Sequence, residues 1–286
     1  MRSSQRQAVT ANAYQQAARV RFAGSVARPA LTRSRGITQT VPGFEATPFR
    51  LAAGTLVWVG LNGPLHPRTV LVEAEPTDGT LRIDVVSIDP TASPAKTVGG
   101  QEFSATDARK TAARAIVGIA DAAKPAGFGV FFRGGLLPFP LSHRKQSAQG
   151  LAYAVARSDA DALVRSAVPL LGVGAGLTPS GDDFVGGALF ALCVMHDAAH
   201  WRQAARTIVA HAAQRTHSVS ATLLSDLADG HSYASLHDLA AAFARGDADR
   251  AIQHGVAVAA IGSSSGWDML AGFMTALTGT IDFSRL

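Results

Sequence analysis

The residues best suited to chemistry lie in two short segments, Ser180-Gly181-Asp182-Asp183 and Ser265-Gly266-Trp267-Asp268, in which hydroxyl, glycine and carboxylate recur at matching positions. The two segments stay aligned without a gap as far as Gly187 and Gly272. Glycines and hydroxyls precede each of them, in Gly172-Val173-Gly174-Ala175-Gly176-Leu177-Thr178-Pro179 and in Ile261-Gly262-Ser263-Ser264, and an apolar run follows. A glycine-rich loop that opens a helix frees backbone N–H groups at the positive end of the helix dipole, which is a setting for an anion. The pattern therefore predicts a pocket where two helix starts meet. Backbone N–H groups around Gly174, Gly176, Gly181 and Gly266 are expected to hold a phosphate or carboxylate and to stabilise an oxyanion. Thr178, Ser180, Ser264 and Ser265 are expected to add hydroxyls.

The carboxylates complicate a simple anion site, because they compete for the same N–H groups. Three uses stay open for Asp182, Asp183 and Asp268. They cap the helices, since Ser followed three residues later by Asp is capping-box spacing and Thr178-Pro179 offers a second start. They hold Mg²⁺ bridging to a phosphate. Or they orient the N–H donors of an amide-bearing substrate, as Asp183 and Asp268 would for a carbamoyl NH₂. No cofactor is demanded by the pattern, Mg²⁺ being the one candidate. The loop lacks the lysine of a phosphate-binding P-loop, and its glycine spacing is not the dinucleotide fingerprint, which excludes ATPase and NAD chemistry.

A third segment, Arg215-Thr216-His217-Ser218-Val219-Ser220, puts a cation beside hydroxyls. Arg215 would neutralise a leaving phosphate and Ser218 would bind substrate; a C-terminal arginine on a helix dipole followed by an N-cap serine is the alternative. His196 and His200 have helical metal-ligand spacing without the glutamate of a zinc-protease motif, so no metal is assigned. His143-Arg144-Lys145 reads as a solvated basic turn, and no nucleophile elbow or zinc cysteine cluster is present.

The elements that must position these residues change character along the chain. Thr55–Val59, Thr69–Val72 and Leu81–Val86 are strand-like runs, with Asp78-Gly79 as a hairpin signal. A helix is predicted from Thr106 to Lys124, and Gly127–Phe132 reads as another strand. From about residue 146 helical periodicity takes over, with helices predicted over 147–157, 159–168, 183–196, 198–214, 218–228, 235–245, 247–260 and 267–279. Pro169, Gly230 and Gly246 act as breaks. The run from Phe184 to Met195 is apolar nearly all round and is expected to be central. The fold class is thus α+β, with a β-containing N-terminal portion packed on an α-helical half. Its expected parts are a basic arm over 1–45, an α+β portion over 46–145 and the motif-bearing helices over 146–286.

Composition narrows the classes further. With 47% hydrophobic and 16% charged residues the chain is expected to fold rather than stay disordered. Its net charge of +5 arises early, because Arg2, Arg6, Arg19, Arg21, Arg28, Arg33 and Arg35 precede the first acidic residue, Glu45. Removing those seven from 26 basic residues leaves 19 against 21 acidic ones. Basicity confined to one stretch does not point to nucleic acid. No apolar run has the length of a membrane span, and the single Cys193 allows no internal disulfide, so a cytoplasmic location is expected.

At Gly174-Ala175-Gly176-Leu177-Thr178-Pro179-Ser180-Gly181-Asp182-Asp183-Phe184, and again through Arg215–Ser220 and Gly262–Gly272, the sequence resembles a bacterial family catalogued as a domain of unknown function. Its described member is a subunit of the anaerobic oxamate carbamoyltransferase of allantoin breakdown. The resemblance covers the C-terminal 120 residues and is loose before them. It implies transfer of a carbamoyl group between phosphate and the nitrogen of oxamate, by an assembly of this subunit with others. Expected partners are accordingly a small anionic substrate of the carbamoyl phosphate, oxamate or oxalurate class, and further subunits or copies of the chain. A non-catalytic partner subunit is the alternative. The Ser-Thr-Arg-Thr phosphate loop of aspartate and ornithine carbamoyltransferases is absent, so their mechanism does not transfer.

Overall fold

The computed structural model describes residues 17–73, 81–84, 105–196 and 198–286. The chain forms two compact units, one from Met1–Gly63 with Arg68–Ala92 and one from Pro64–Pro67 with Ser93–Leu286. The hairpin signal at Asp78-Gly79 lies outside the described residues.

The first unit is a closed six-stranded barrel built from β1 (Ala18–Ala23), β2 (Ile37–Thr40), β3 (Phe49–Ala52), β4 (Thr55–Gly60), β5 (Thr69–Val72) and β6 (Leu81–Asp84), with helix α1 (Ala27–Arg33) between β1 and β2. Around the barrel the strands run β1-β5-β4-β3-β2-β6, and β6 closes on β1 in parallel. Ala53 and Gly54, both at positive φ, make the two-residue turn between β3 and β4. Val57, Val59, Val70, Val72 and Ile83 fill the interior, with Leu31 of α1 packed among them. Strand alternation explains the basic stretch. Along β1, Val20 turns inward while Arg19 and Arg21 are exposed, and Arg33 and Arg35 at the end of α1 are exposed as well. From residue 18 onward, then, the stretch expected as an arm supplies two strands and a helix, with Arg19, Arg21, Arg33 and Arg35 exposed and Arg28 half-buried. The units divide near residues 63–68 and 92–93 rather than at 45 and 145.

The second unit is helical: α2 (Ala105–Ala122), α3 (Lys145–Ala156), α4 (Ala160–Ala167), α5 (Ser180–Met195), α6 (Ala198–Arg215), α7 (Ser218–Ala228), α8 (Ala234–Ala244), α9 (Ala248–Ala259) and α10 (Ser265–Thr278). The α+β class holds. Helix boundaries follow local signals: Asp159 and Asp247 accept the N–H groups of Ala162 and Arg250 as N-caps, and Gly230 and Gly246 take positive φ just past α7 and α8.

Helices α5 and α10, which begin with the two matching segments, form the centre. Every residue of α5 from Ser180 to Leu192, and every residue of α10 from Gly266 to Thr278, is buried. Two helices buried on all sides can cross closely only where side chains are missing. Gly187 rests on the backbone of Met269 and Gly272 on the carbonyl of Phe184, and a Cβ at either position would collide with the other helix's backbone.

Gly127–Phe132, expected as a strand, is instead part of a 3₁₀ helix spanning Gly127–Arg133. Gly127 has φ +53, a turn conformation that a strand cannot use. Phe128, Phe131 and Phe132 are buried in the helical core, with Phe128 packed 4.5 Å from the Phe184 ring and Phe132 edge-on to Trp267. The apolar spacing is that of a tight helical turn lying across the starts of α5 and α10.

Candidate functional site

The two helix starts face one another and exchange side chains. Thr178, just ahead of α5, bonds through its hydroxyl to that of Ser265, the first residue of α10, at 2.8 Å. Asp183 lies beside Thr178 and Ser265, and Asp268 beside Ser180 and Ser264. Each carboxyl thus sits near the first residue of the opposite helix. Asp268 Oδ1 accepts the backbone N–H of Phe128 at 2.6 Å. The Oδ2 atoms of Asp183 and Asp268 are both buried and have no hydrogen-bond partner. Asp183 is 7% exposed and Asp268 fully buried.

Burial without compensation disfavours charge. It pushes the Asp183 carboxyl well above the usual carboxylate range, helped by the charges of Asp268 and Asp182 and opposed by the hydroxyls of Thr178 and Ser265. Burial likewise raises Asp268 to about 7, against the pull of the Phe128 N–H and the hydroxyls of Ser180 and Ser264. Tyr233, just before α8, has its phenol held above the ordinary range by burial and then by the charges of Asp183 and Asp226.

The helix starts are not capped as their spacing suggests. The N-cap positions are Pro179 and Ser264, and neither makes a side-chain capping bond. Ser180 and Ser265 are already helical, and Thr178 spends its hydroxyl on α10. Nor are all the expected N–H donors free. Gly181 donates to the Val173 carbonyl at 2.8 Å and Gly266 to the Ile261 carbonyl at 2.9 Å, so these two are corrected from anion binders to structural turns. Both are glycine for the same reason: a side chain at Gly181 would strike the Leu170 carbonyl and one at Gly266 the Val258 carbonyl. Gly172 is pressed on the Arg215 carbonyl and Gly174 on the Ser180 nitrogen. Only Gly176 of this loop opens to free space, at the exposed tip.

Asp182 is also structural. Its Oδ1 accepts the Gly172 N–H at 2.8 Å and its Oδ2 the Ser220 hydroxyl at 2.7 Å, which ties the glycine loop to α7. Arg215 and Ser218 are exposed at the junction of α6 and α7, and neither is among the groups that act on the carboxyl pair. The N-cap of α7 is His217, whose Nδ1 accepts the Ser220 N–H at 3.4 Å, so Ser218 is not the cap. The structure thus brings together Thr178, Ser180, Asp183, Ser264, Ser265 and Asp268.

Sequence reasoning missed two contributors. The Phe128 N–H comes from the segment misread as a strand; the nearby signal was Pro125-Ala126-Gly127, a break that ought to have argued for a turn. Tyr233 stands at the start of α8, its ring 4.9 Å from that of His66, and the next residue, Ala234, donates its N–H to the Leu65 carbonyl. Nothing in its sequence neighbourhood marks it.

The histidines at metal spacing bond elsewhere, His196 to the Ala276 carbonyl at 3.1 Å and His200 to that of Ser158 at 3.0 Å. No group of three or more His, Cys, Asp or Glu able to hold a metal ion occurs among the described residues. No single described helix is long and apolar enough to cross a membrane.

Residues 170–277 match the family model described as oxamate carbamoyltransferase subunit AllH. The match runs from the glycine loop to the last turn of α10 and bears out the family resemblance over the site-bearing segment. No curated protein and no solved structure matches the chain.

Proposed function

We propose that the helical unit binds a small carbamoyl- or ureido-bearing compound between the starts of α5 and α10, as a subunit of an oxamate carbamoyltransferase-like enzyme. The observation that carries this reading is the pair of buried, unpartnered Oδ2 atoms on Asp183 and Asp268. An orphaned buried acceptor costs free energy until a donor fills it. A carbamoyl group is complementary: its N–H groups satisfy an ionised carboxyl oxygen, and its carbonyl accepts from a protonated one. The hydroxyls of Thr178, Ser180, Ser264 and Ser265 surround the pair and suit the oxygens of the same ligand. Arg215, exposed at the end of α6 with its carbonyl against Gly172, supplies the positive charge that draws a phosphate toward the loop.

The match to a family described as a subunit supports an assembly with other chains, in which this chain contributes the carbamoyl site. The test is a thermal-shift panel of phosphate, carbamoyl phosphate, oxamate, oxalurate and Mg²⁺ on wild type, Thr178→Val and Asp183→Asn. A ligand at 100 times its Kd adds about 2.7 kcal/mol to stability. Carbamoyl phosphate or oxalurate is expected to shift wild type, to lose that shift in Thr178→Val and to keep about half of it in Asp183→Asn. Shifts of wild-type size in both variants would move the site elsewhere. A response to Mg²⁺ alone, lost in Asp183→Asn, would instead make the pair a cation site. Phosphorolysis of oxalurate by the chain alone, then with partner subunits added, separates a self-sufficient enzyme from a subunit that depends on its partners.

A further inference from the structure

Resting on that reading, we infer that Asp183 and Asp268 hold one proton between them and work as an acid–base dyad in carbamoyl transfer. The geometry supplies the reasons. The two carboxyls belong to equivalent positions of two crossing helices, each is set beside the opposite helix's first hydroxyl residue, and each keeps one buried oxygen unpartnered. Among the described residues neither makes an ion pair. Asp183 feels the charge of Asp268, both carboxyls are buried at the same end of the helix crossing, and no cation among the described residues offsets them, so ionising both is costly and a single proton stays with the pair.

Among the described residues, the groups acting on the dyad bring no positive charge to it. From α5 comes Asp182, whose charge opposes ionisation of Asp183. Just before α8 lies the Tyr233 phenol, held above its ordinary range by its burial and then by the charge of Asp183. The 3₁₀ helix contributes only the Phe128 N–H, and the two loops contribute hydroxyls. The upward displacement of both carboxyls fits the same picture.

A dyad in this state completes the proton balance of the transfer. When hydrogen phosphate attacks a ureido carbonyl, a phosphate oxygen forms a bond to the carbonyl carbon and the bond from that carbon to the departing amide nitrogen breaks. The electron pair of the broken bond goes to nitrogen, which takes the proton of the protonated carboxyl. The ionised carboxyl accepts the proton that hydrogen phosphate gives up. The products are carbamoyl phosphate and a primary amide, and the dyad again carries one proton, now on the other member. The reverse reaction returns it. The near-symmetry of α5 and α10 suits an exchange of roles between two like groups.

The test follows the side-chain carboxyl resonances of Asp183 and Asp268 in the full-length protein, labelled with ¹³C in aspartate, from pH 4 to pH 9. In wild type one resonance is expected to titrate near neutrality. Asp183→Asn should lower the Asp268 midpoint by at least about one pH unit, a tenfold change, and Asp268→Asn should do the same for Asp183. Two midpoints in the ordinary carboxylate range, or single variants that leave the other carboxyl unmoved, overturn the shared proton. No ligand enters this measurement, so it stands apart from the binding panel above. In the assembled enzyme, each Asp→Asn variant is expected to lower turnover about 100-fold or more and to flatten its pH profile, with ligand affinity changed less than tenfold. Turnover and affinity lost in equal measure would overturn the acid–base role and leave only orientation of the ligand. Absence of ligand binding by wild type would instead sink the carbamoyl site itself.

Discussion

Asp268 shows how burial turns a routine carboxylate into a group that titrates near neutrality. Its one strong bond, from the Phe128 N–H, favours the charged form, yet full desolvation wins and raises it to about 7. In the unfolded chain it titrates near 3.8, so between those values the folded state binds the extra proton. Its contribution to stability is therefore fully present below about pH 4, falls as the pH rises toward 7 and is level above, a change on the order of 4 kcal/mol for a shift of this size. Asp268→Asn keeps an acceptor for Phe128 and removes the proton. Urea unfolding at pH 4.5 and 7.5 is expected to show a smaller loss of stability across that interval in the variant than in wild type. Equal losses would show that Asp268 is not the titrating group. Asp182, one position from Asp183 and also buried, carries the opposite lesson: with a partner on each oxygen it is a strut between the glycine loop and α7. Identity and spacing do not tell these two carboxylates apart; their partners do.

At the scale of elements, the site depends on how closely α5 and α10 cross. Gly187 and Gly272 let backbone meet backbone, which brings Asp183 and Asp268, each four residues before its glycine, to the same end of the crossing. Replacing glycine by alanine inside an exposed helix stabilises by about 1 kcal/mol. Gly272→Ala is expected to do the reverse, because its Cβ meets the Phe184 carbonyl and the helices must separate. Overpacking of this kind costs about 1–3 kcal/mol, which at this chain length lowers Tm by about 2–4 °C for each kcal/mol. Thermal melting checks the sign directly: a Tm at or above wild type would mean that the crossing is looser than the contacts imply. Loss of the ligand-induced shift should accompany the drop, since the two carboxyls move with their helices.

For the whole molecule, the barrel and the helical unit have separate buried clusters, one around Leu31, Val57 and Val70, the other around Phe184, Phe190 and Phe273. All the residues gathered at the site belong to the second. Leu31→Ala empties a fully buried position of the barrel and is expected to cost about 2–5 kcal/mol there. Calorimetry with and without carbamoyl phosphate checks whether the ligand-induced shift of the helical unit survives the substitution. Its disappearance would tie the site to the barrel's integrity.

The sequence by itself determined the helical half, because periodic apolar residues, aspartate N-caps and glycine stops are local signals; it also determined that α5 is central, since a helix with no polar face has to be buried. The repeated Ser-Gly and Asp spacing identified the pair of helix starts. Tertiary structure alone decided what those residues are for. The N–H groups of Gly181 and Gly266 are engaged by carbonyls of their own loops, Asp182 is held by Ser220 from another helix, and the arginine-rich stretch is wound into a barrel whose strands pair across long sequence gaps. Phe128 reaches Asp268 from 140 residues away, and Tyr233 acts on Asp183 from about 50. Hydrogen-bond satisfaction and desolvation are set by neighbours in space, and a linear chain states only which groups will need them.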